Sequence, residues 1–258
     1  MRPGEVIFRH AEPVMGTVVS IDVRPQGLPM LRTRSAVAAA CEVLHRADDV
    51  FSLFRPDTPL SRLVREEIAL ADCPSEVAEV IELCGQAKVA SGGWFDPWSL
   101  PNGFDPTGLV KGWAAREAAR ELEAAGIGAG MVNAAGDIAS FGTPWQRDAW
   151  RVGIRSPESP ELLACVIELR GAVATSALYE RGAHIWDVAA RCPAAGVASA
   201  TVCGPDLALA DAFATGLVAA GNAGLEAVSV AGYEALLLLE SGQSVSTAGF
   251  PVHATSAV

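Results

Sequence analysis

Apolar and polar residues alternate with a period of two over residues 16–24, with Val19, Ile21 and Val23 on one side and Val18, Ser20 and Asp22 on the other. That is the pattern of a half-buried strand. The period then changes. Over 34–53, Val37, Ala40, Cys41, Leu44, Ala47 and Phe51 recur at helical spacing and predict an amphipathic helix. A Pro-Asp-Thr-Pro turn follows at 56–59. Ser75, read as an N-cap with Glu76 in the first turn, opens a second helix that runs to about residue 90 and stops before Ser91-Gly92-Gly93. A third helix spans about 109–125 and is closed by Gly126. Strand-like segments then dominate, at 131–141, 149–155, 165–169, 172–176 and 198–202. A helix over 207–220, a short one near 223–230 and a strand at 233–240 complete the series. Helices, then sequential strands, then helices again predict an α+β architecture and not an alternating doubly wound sheet.

No internal repeat or clean linker divides the 258 residues, so the expectation is one unit over 1–258, or two intimate subdomains. Half of the residues are hydrophobic, yet no apolar run reaches the roughly 20 residues that span a bilayer. The first ten residues hold neither an apolar signal core nor a lipid-anchor cysteine, which gives a cytoplasmic expectation with no membrane segment. A formal net charge of −11 argues against nucleic acid as a partner, because affinity for phosphate backbones comes from basic patches. The six cysteines form no Cys-x-x-Cys pair and read as small buried hydrophobes, not as a zinc site or a disulfide framework.

Candidate chemistry gathers in polar islands. The segment Asp-Pro-Thr-Gly-Leu-Val-Lys-Gly at 105–112 holds Lys111, one of two lysines in the chain. A glycine turn with a lysine ahead of a helix offers amides and a cation to a phosphate; the same residues also make an ordinary helix start. Asp211 and Thr215, spaced i,i+4, put two oxygens on one helix face. Such a pair suits Mg²⁺, or is a solvated carboxylate beside a threonine bonded to its own helix. His184 stands near Tyr179, Arg181 and Asp187, a setting for a general base or for a structural hydrogen-bonder. Gly-x-Ser-x-Gly, His-Glu-x-x-His, Walker A and Rossmann fingerprints are all missing, which argues against the corresponding hydrolases, proteases, NTPases and dehydrogenases.

Taken in order, the islands carry a resemblance over nearly the whole chain. They are Met15-Gly16-Thr17, the stretch 51–63, Gly92-Gly93-Trp94-Phe95-Asp96-Pro97, 105–114, 133–137, Trp150-Arg151-Val152-Gly153-Ile154, 175–181, His184-Ile185-Trp186-Asp187 and 210–215. Together they resemble the ApbE family of FAD:protein FMN transferases. The resemblance implies a single compact α+β domain of two intimate subdomains with the flavin site in the cleft between them. It implies Mg²⁺-dependent transfer of FMN from FAD to a threonine or serine of an acceptor flavoprotein, with AMP leaving. Hydrolysis of FAD to FMN and AMP, or FAD and Mg²⁺ binding without turnover, are the alternatives. The implied Mg²⁺ ligands are Asp211 and Thr215, with the backbone at Gly108 and Ala214. Those implied for FAD are Met15, Phe54, Trp94, Phe95, Asp96, Asp105, Lys111 and Ile185. His184 would be the base, oriented by Asp187. The chain departs from the family pattern at several places. Ala135-Gly136-Asp137 stands for Gly-Gly-Asp, Thr175-Ser176-Ala177 for Thr-Ser-Gly, Phe54 for tyrosine, and Val188-Ala189-Ala190-Arg191 for Pro-Arg-Thr-Gly after Asp187.

Overall fold

The alternating segment near the start of the chain is the second of two strands. Phe8–Val14 (β1) and Thr17–Arg24 (β2) pair as an antiparallel hairpin whose last partners are Val14 and Thr17. The loop is therefore two residues, Met15 and Gly16, and both have positive φ, 53° and 68°. Turns of that hand match the right-handed twist of the strands they join. These coordinates come from a computed structural model that describes residues 6–144, 147–159, 161–178 and 185–255.

Four helices follow: α1 (Met30–Phe51), α2 (Pro59–Val64), α3 (Ser75–Ala90) and α4 (Thr107–Ala124). The expected stop of α4 holds, with Gly126 at φ 88°. Two boundaries differ from expectation. Helix α1 begins four residues earlier than its stripe, at Met30, where the buried Thr33 donates its hydroxyl to the Pro29 carbonyl. Ser75 lies inside α3; the N-cap position is Pro74, and the Ser75 hydroxyl instead bonds the Glu76 carboxylate at 3.3 Å.

The expected strand at 131–141 is two strands, β3 (Ala129–Ala134) and β4 (Asp137–Phe141), joined at Ala135-Gly136. Then come β5 (Trp150–Arg155), β6 (Leu163–Leu169), β7 (Ala172–Ala177), β8 (Trp186–Asp187), β9 (Cys192–Pro193) and β10 (Val197–Gly204). Helices α5 (Leu207–Ala220) and α6 (Leu225–Val230) precede β11 (Glu234–Leu239), β12 (Ser244–Ser246) and β13 (Val252–Thr255).

Among the described residues, eight strands make one antiparallel sheet in the order β1-β2-β3-β4-β7-β10-β11-β12, and β13-β6-β5 make a second. Both faces of the large sheet are covered. Helices α1, α4 and α5 pack on one face over Val132, Ala134, Val202, Ala235 and Leu237. The small sheet packs on the other, where Trp150, Ile154 and Ile167 meet Ala129, Ile138, Val173 and Leu236. Two-sided burial explains why β11 reads Glu-Ala-Leu-Leu-Leu-Leu and not as an alternation. Residues 207–230 are 24 positions with a stretch of mean hydropathy 1.2, long and apolar enough to cross a membrane by composition alone. Here they are the core-facing α5, broken at Gly221 (φ 56°), followed by α6. The break divides the apolar run into the two helices expected there. Two cysteines also depart from the buried reading: Cys192 is exposed and Cys73 half-buried.

Candidate active site

The helices α4 and α5 cross at glycines, and the crossing builds the polar end of a cleft. A Cβ on Gly112 would lie 2.5 Å from the Leu207 carbonyl oxygen and 2.8 Å from the Asp211 Cβ; one on Gly108 would lie 3.0 Å from Thr215 Oγ1. Only glycine allows that approach. It lets the Gly112 amide donate to the buried Asp211 carboxylate at 2.9 Å. It also sets Thr215, one turn along α5, 3.2 Å from the Ser176 hydroxyl of β7. The entry of α5 is fixed independently, because Asp206 caps it through the Leu209 amide and pairs with Arg116 of α4 at 2.7 Å.

Lys111 sits one residue before Gly112. Its ammonium is ion-paired with Asp137, a fully buried carboxylate at the start of β4 that also accepts the Thr175 amide at 3.0 Å. Asp137 was not among the residues expected to form the site. The signal available in sequence is a carboxylate directly after a Gly turn, flanked by apolar residues, where burial requires a charge partner.

The cleft has a volume of about 540 Å³, inside the usual range for small-molecule sites. Besides Thr175–Ala177 of β7 and the segment around β8, its walls come from four places. The first is the pair of hairpin tips, Met15-Gly16 and Ala135. The second is the end of α1 and the loop after it, with Asp48, Phe51 and Phe54. The third is Trp94-Phe95-Asp96, and the fourth the α4–α5 crossing. The α1 end is fixed by Thr58, whose hydroxyl donates to the Ser52 carbonyl at 2.8 Å and accepts the Ser61 amide to cap α2. Ser91 similarly accepts the Phe95 amide at 3.1 Å and holds the loop after α3.

The residues expected to contact flavin, Met15, Phe54, Trp94, Phe95, Asp96, Asp105, Lys111 and Ile185, all line this cleft. Their roles divide. Phe54 is almost wholly exposed at the mouth, while Phe95 and Ile185 are buried. The Asp96 carboxylate bonds Lys88 at 2.7 Å and the Ser99 hydroxyl at 2.8 Å; burial raises its pKa, but these partners outweigh it and hold the group below the usual carboxylate range. Asp105 accepts the Thr107 amide at 2.9 Å and so stabilises the start of α4. Of the expected metal ligands, Gly108, Asp211 and Thr215 line the cleft, whereas Ala214 is buried in α5 and does not.

Asp187 is turned to its own loop, its Oδ1 accepting the Ala189 and Ala190 amides at 2.9 Å each. Neighbouring Trp186 and Val188 line the cleft. His184, Tyr179 and Arg181 lie outside the described residues.

Two departures from the family pattern fall on left-handed backbone. Ala135 has φ 54° and Arg191 φ 55°; both stand where the pattern has glycine, the residue that adopts this conformation at no steric cost. The backbone thus keeps a glycine-like shape with the side chain changed. Ala177, the third such position, lies in β7 without positive φ and carries no such strain.

The family model described as "ApbE family" matches residues 15–103 and 100–237. No curated protein matches the chain. Several solved structures share the fold. An ApbE protein from Thermotoga maritima is 22% identical, covers 95% of this chain and 98% of its own, and superposes with a TM-score of 0.81. The flavin transferase ApbE from Vibrio cholerae is 19% identical, with the same coverages of 95% and 98% and a TM-score of 0.81. The Pseudomonas stutzeri flavinyl transferase ApbE, in its apo form, is 19% identical, covers 96% and 97%, and gives 0.77.

Proposed function

Because the chain belongs to the ApbE family, we propose that it is a flavin transferase, moving the FMN half of FAD to a threonine or serine hydroxyl of an acceptor protein with Mg²⁺ and release of AMP. One observation carries the reading: Lys111, ion-paired with the buried Asp137, lines one cleft with Asp211 and Thr215, and that cleft also offers Phe54 and Trp94 as aromatic faces.

Attack on a pyrophosphate phosphorus depends on positioning and charge neutralisation more than on covalent help from the enzyme. Lys111 supplies a cation for a phosphate, and Asp137 holds its ammonium in place from beneath. Trp94 and Phe54 present ring faces to an isoalloxazine or adenine, while Phe51 and Phe95 exclude water from the cleft floor. The polar groups gathered at Thr215 are the Asp211 carboxylate and the Ser176 hydroxyl, a set of hard oxygens that fits Mg²⁺. Asp211 and Thr215 would hold the ion, with the backbone of Gly108, which lines the cleft as Ala214 does not, as the main-chain candidate. When bound, Mg²⁺ supplies charge neutralisation on phosphate oxygens and a template for their orientation. His184 is the base of this reading, taking the proton of the acceptor hydroxyl, by resemblance of sequence alone.

Titration of flavin fluorescence tests the binding half. FAD should saturate a single site, and Lys111→Met should weaken it at least about tenfold, the loss of one charge-assisted contact. Equal affinity in the two proteins would remove Lys111 from the site. A second reading, a member that binds FAD without turnover, is favoured by the Asp187 carboxylate being engaged by its own loop amides. The two readings separate on AMP production.

A further inference from the structure

Strand β1 breaks the rule that inward positions are apolar. Its half-buried positions alternate as Phe8, His10, Glu12 and Val14, so two of the four side chains turned toward the body of the protein are an imidazole and a carboxylate. Residues i and i+2 of a strand share a face. Opposite them, Cys41 and His45 lie one turn apart on α1 and share a face of that helix. Three of these side chains meet at one point, and His45 joins them through the Glu12 carboxylate. Glu12 bridges, with one carboxylate oxygen 2.7 Å from His10 Nε2 and the other 2.8 Å from His45 Nε2. Donor atoms of His10, Glu12 and Cys41 all lie within 4.8 Å of one another. Two of the chain's four histidines and one of its six cysteines are thus spent on one point, about which the flavin chemistry says nothing.

We propose that His10, Glu12 and Cys41, with His45 swung in from its contact on Glu12 as the fourth donor, form a Zn²⁺ site that fastens edge strand β1 to helix α1. The donor set is two imidazole nitrogens, a carboxylate oxygen and a sulfur, the mixture zinc takes in four-coordinate sites. Mg²⁺ and Ca²⁺ prefer all-oxygen shells and are selected against. Zinc bonds of about 2.0–2.3 Å in a tetrahedron put donors roughly 3.3–3.7 Å apart. The two spacings to Glu12 need to open by under about 1 Å while the His45 nitrogen moves inward toward the other donors, and side-chain rotation supplies both. The imidazoles are 37% and 51% exposed and give an ion its entry, while Cys41 closes the inner side and is buried. On binding, the thiol proton leaves to solvent.

The position gives the site a role. The tip of β1 is Met15, and the last turns of α1 hold Ala47, Asp48 and Phe51; all line the flavin cleft. An ion between these two elements sets the spacing of one wall of the cleft without touching its ligand. It is therefore a structural site, readable in the protein without FAD.

The test uses chelator-treated protein in a Cys192→Ser background, which removes the exposed thiol. Zn²⁺ competition against a chromophoric chelator should give one equivalent bound, and the thermal midpoint should rise by about 5 °C at a hundredfold excess over Kd. Co²⁺ should give visible bands of a tetrahedral ion and a near-ultraviolet thiolate charge-transfer band. Cys41→Ala should abolish that band. His10→Gln, a change at a partly exposed side chain, should weaken Zn²⁺ at least about tenfold. No binding at millimolar Zn²⁺ overturns the proposal, as does binding that both variants leave unchanged or a cobalt spectrum without the thiolate band.

Discussion

Asp137 and Lys111 place opposite charges at the inner end of the cleft, the carboxylate fully buried and the ammonium partly open to solvent. Removing one member of such a pair strands the other in a low-dielectric setting. A double-mutant cycle with Lys111→Met and Asp137→Asn, read by denaturant unfolding, should give a coupling of about 1–3 kcal/mol. Additive effects would mean the pair is not an energetic unit. The left-handed residues give a second expectation at this scale. Left-handed backbone costs a non-glycine residue about 1–2 kcal/mol, partly offset by the entropy glycine loses on folding. Ala135→Gly should therefore stabilise the fold by up to about 1 kcal/mol, measured as a shift in the denaturation midpoint at constant m-value. A loss of stability would show that the Ala135 methyl makes a contact worth more than the strain. This position also explains a failure of sequence reading. Asn-Ala-Ala-Gly-Asp carries no strong turn signal where Ala135 takes a glycine's conformation, so β3 and β4 read as one strand.

Elements succeed in sequence where one face is apolar and fail where inward positions are polar. The stripe of α1 and the alternation of β2 are plain because the positions turned inward are almost all apolar. Strand β1 was invisible because His10 and Glu12 occupy half of its inner face, and β8, β9 and β12 are two or three residues long. Packing of neighbours decides such strands, not propensity. The same scale carries the glycine crossing. Gly112→Ala would drive a methyl against the Leu207 carbonyl and Asp211, and overpacking of this kind costs about 1–3 kcal/mol. Because the strain falls on the α4–α5 spacing, FAD affinity should fall as well, whereas Thr58→Ala should cost about 1–2 kcal/mol through a lost cap and a lost bond to Ser52. Thermal denaturation and flavin titration together distinguish the two. The β1–α1 tether predicts a pH dependence. Hydrogen bonds from His10 and His45 hold the Glu12 pKa down to about 2. A depressed folded-state value contributes stability above the unfolded pKa and loses it as pH falls through that value toward 2. Metal-free protein should lose this part of its stability across that window, and Glu12→Gln should flatten the loss.

At the scale of the whole molecule, the three-layer arrangement explains how a chain about one-fifth identical to its structural relatives keeps their fold over 95% of its length. Helices on one face and a small sheet on the other bury both sides of the large sheet, and many apolar sequences satisfy that demand. The α+β class was legible from periodicity, whereas Met15, Trp94, Lys111, Asp211 and Thr215, which line one cleft, were named together only through the family resemblance that the polar islands carry. The partnership of Lys111 with Asp137, and the commitment of Asp96 and Asp187 to local bonds, were not, because they depend on which loops the sheet brings together. The central claim is that this cleft cleaves the FAD pyrophosphate. Its direct test is AMP measured by chromatography after incubation of the protein with FAD and Mg²⁺, with and without EDTA. AMP that accumulates with Mg²⁺, stops with EDTA and is lost in Asp211→Asn is the predicted result. Bound FAD with no AMP, acceptor peptides bearing threonine or serine included, would contradict it.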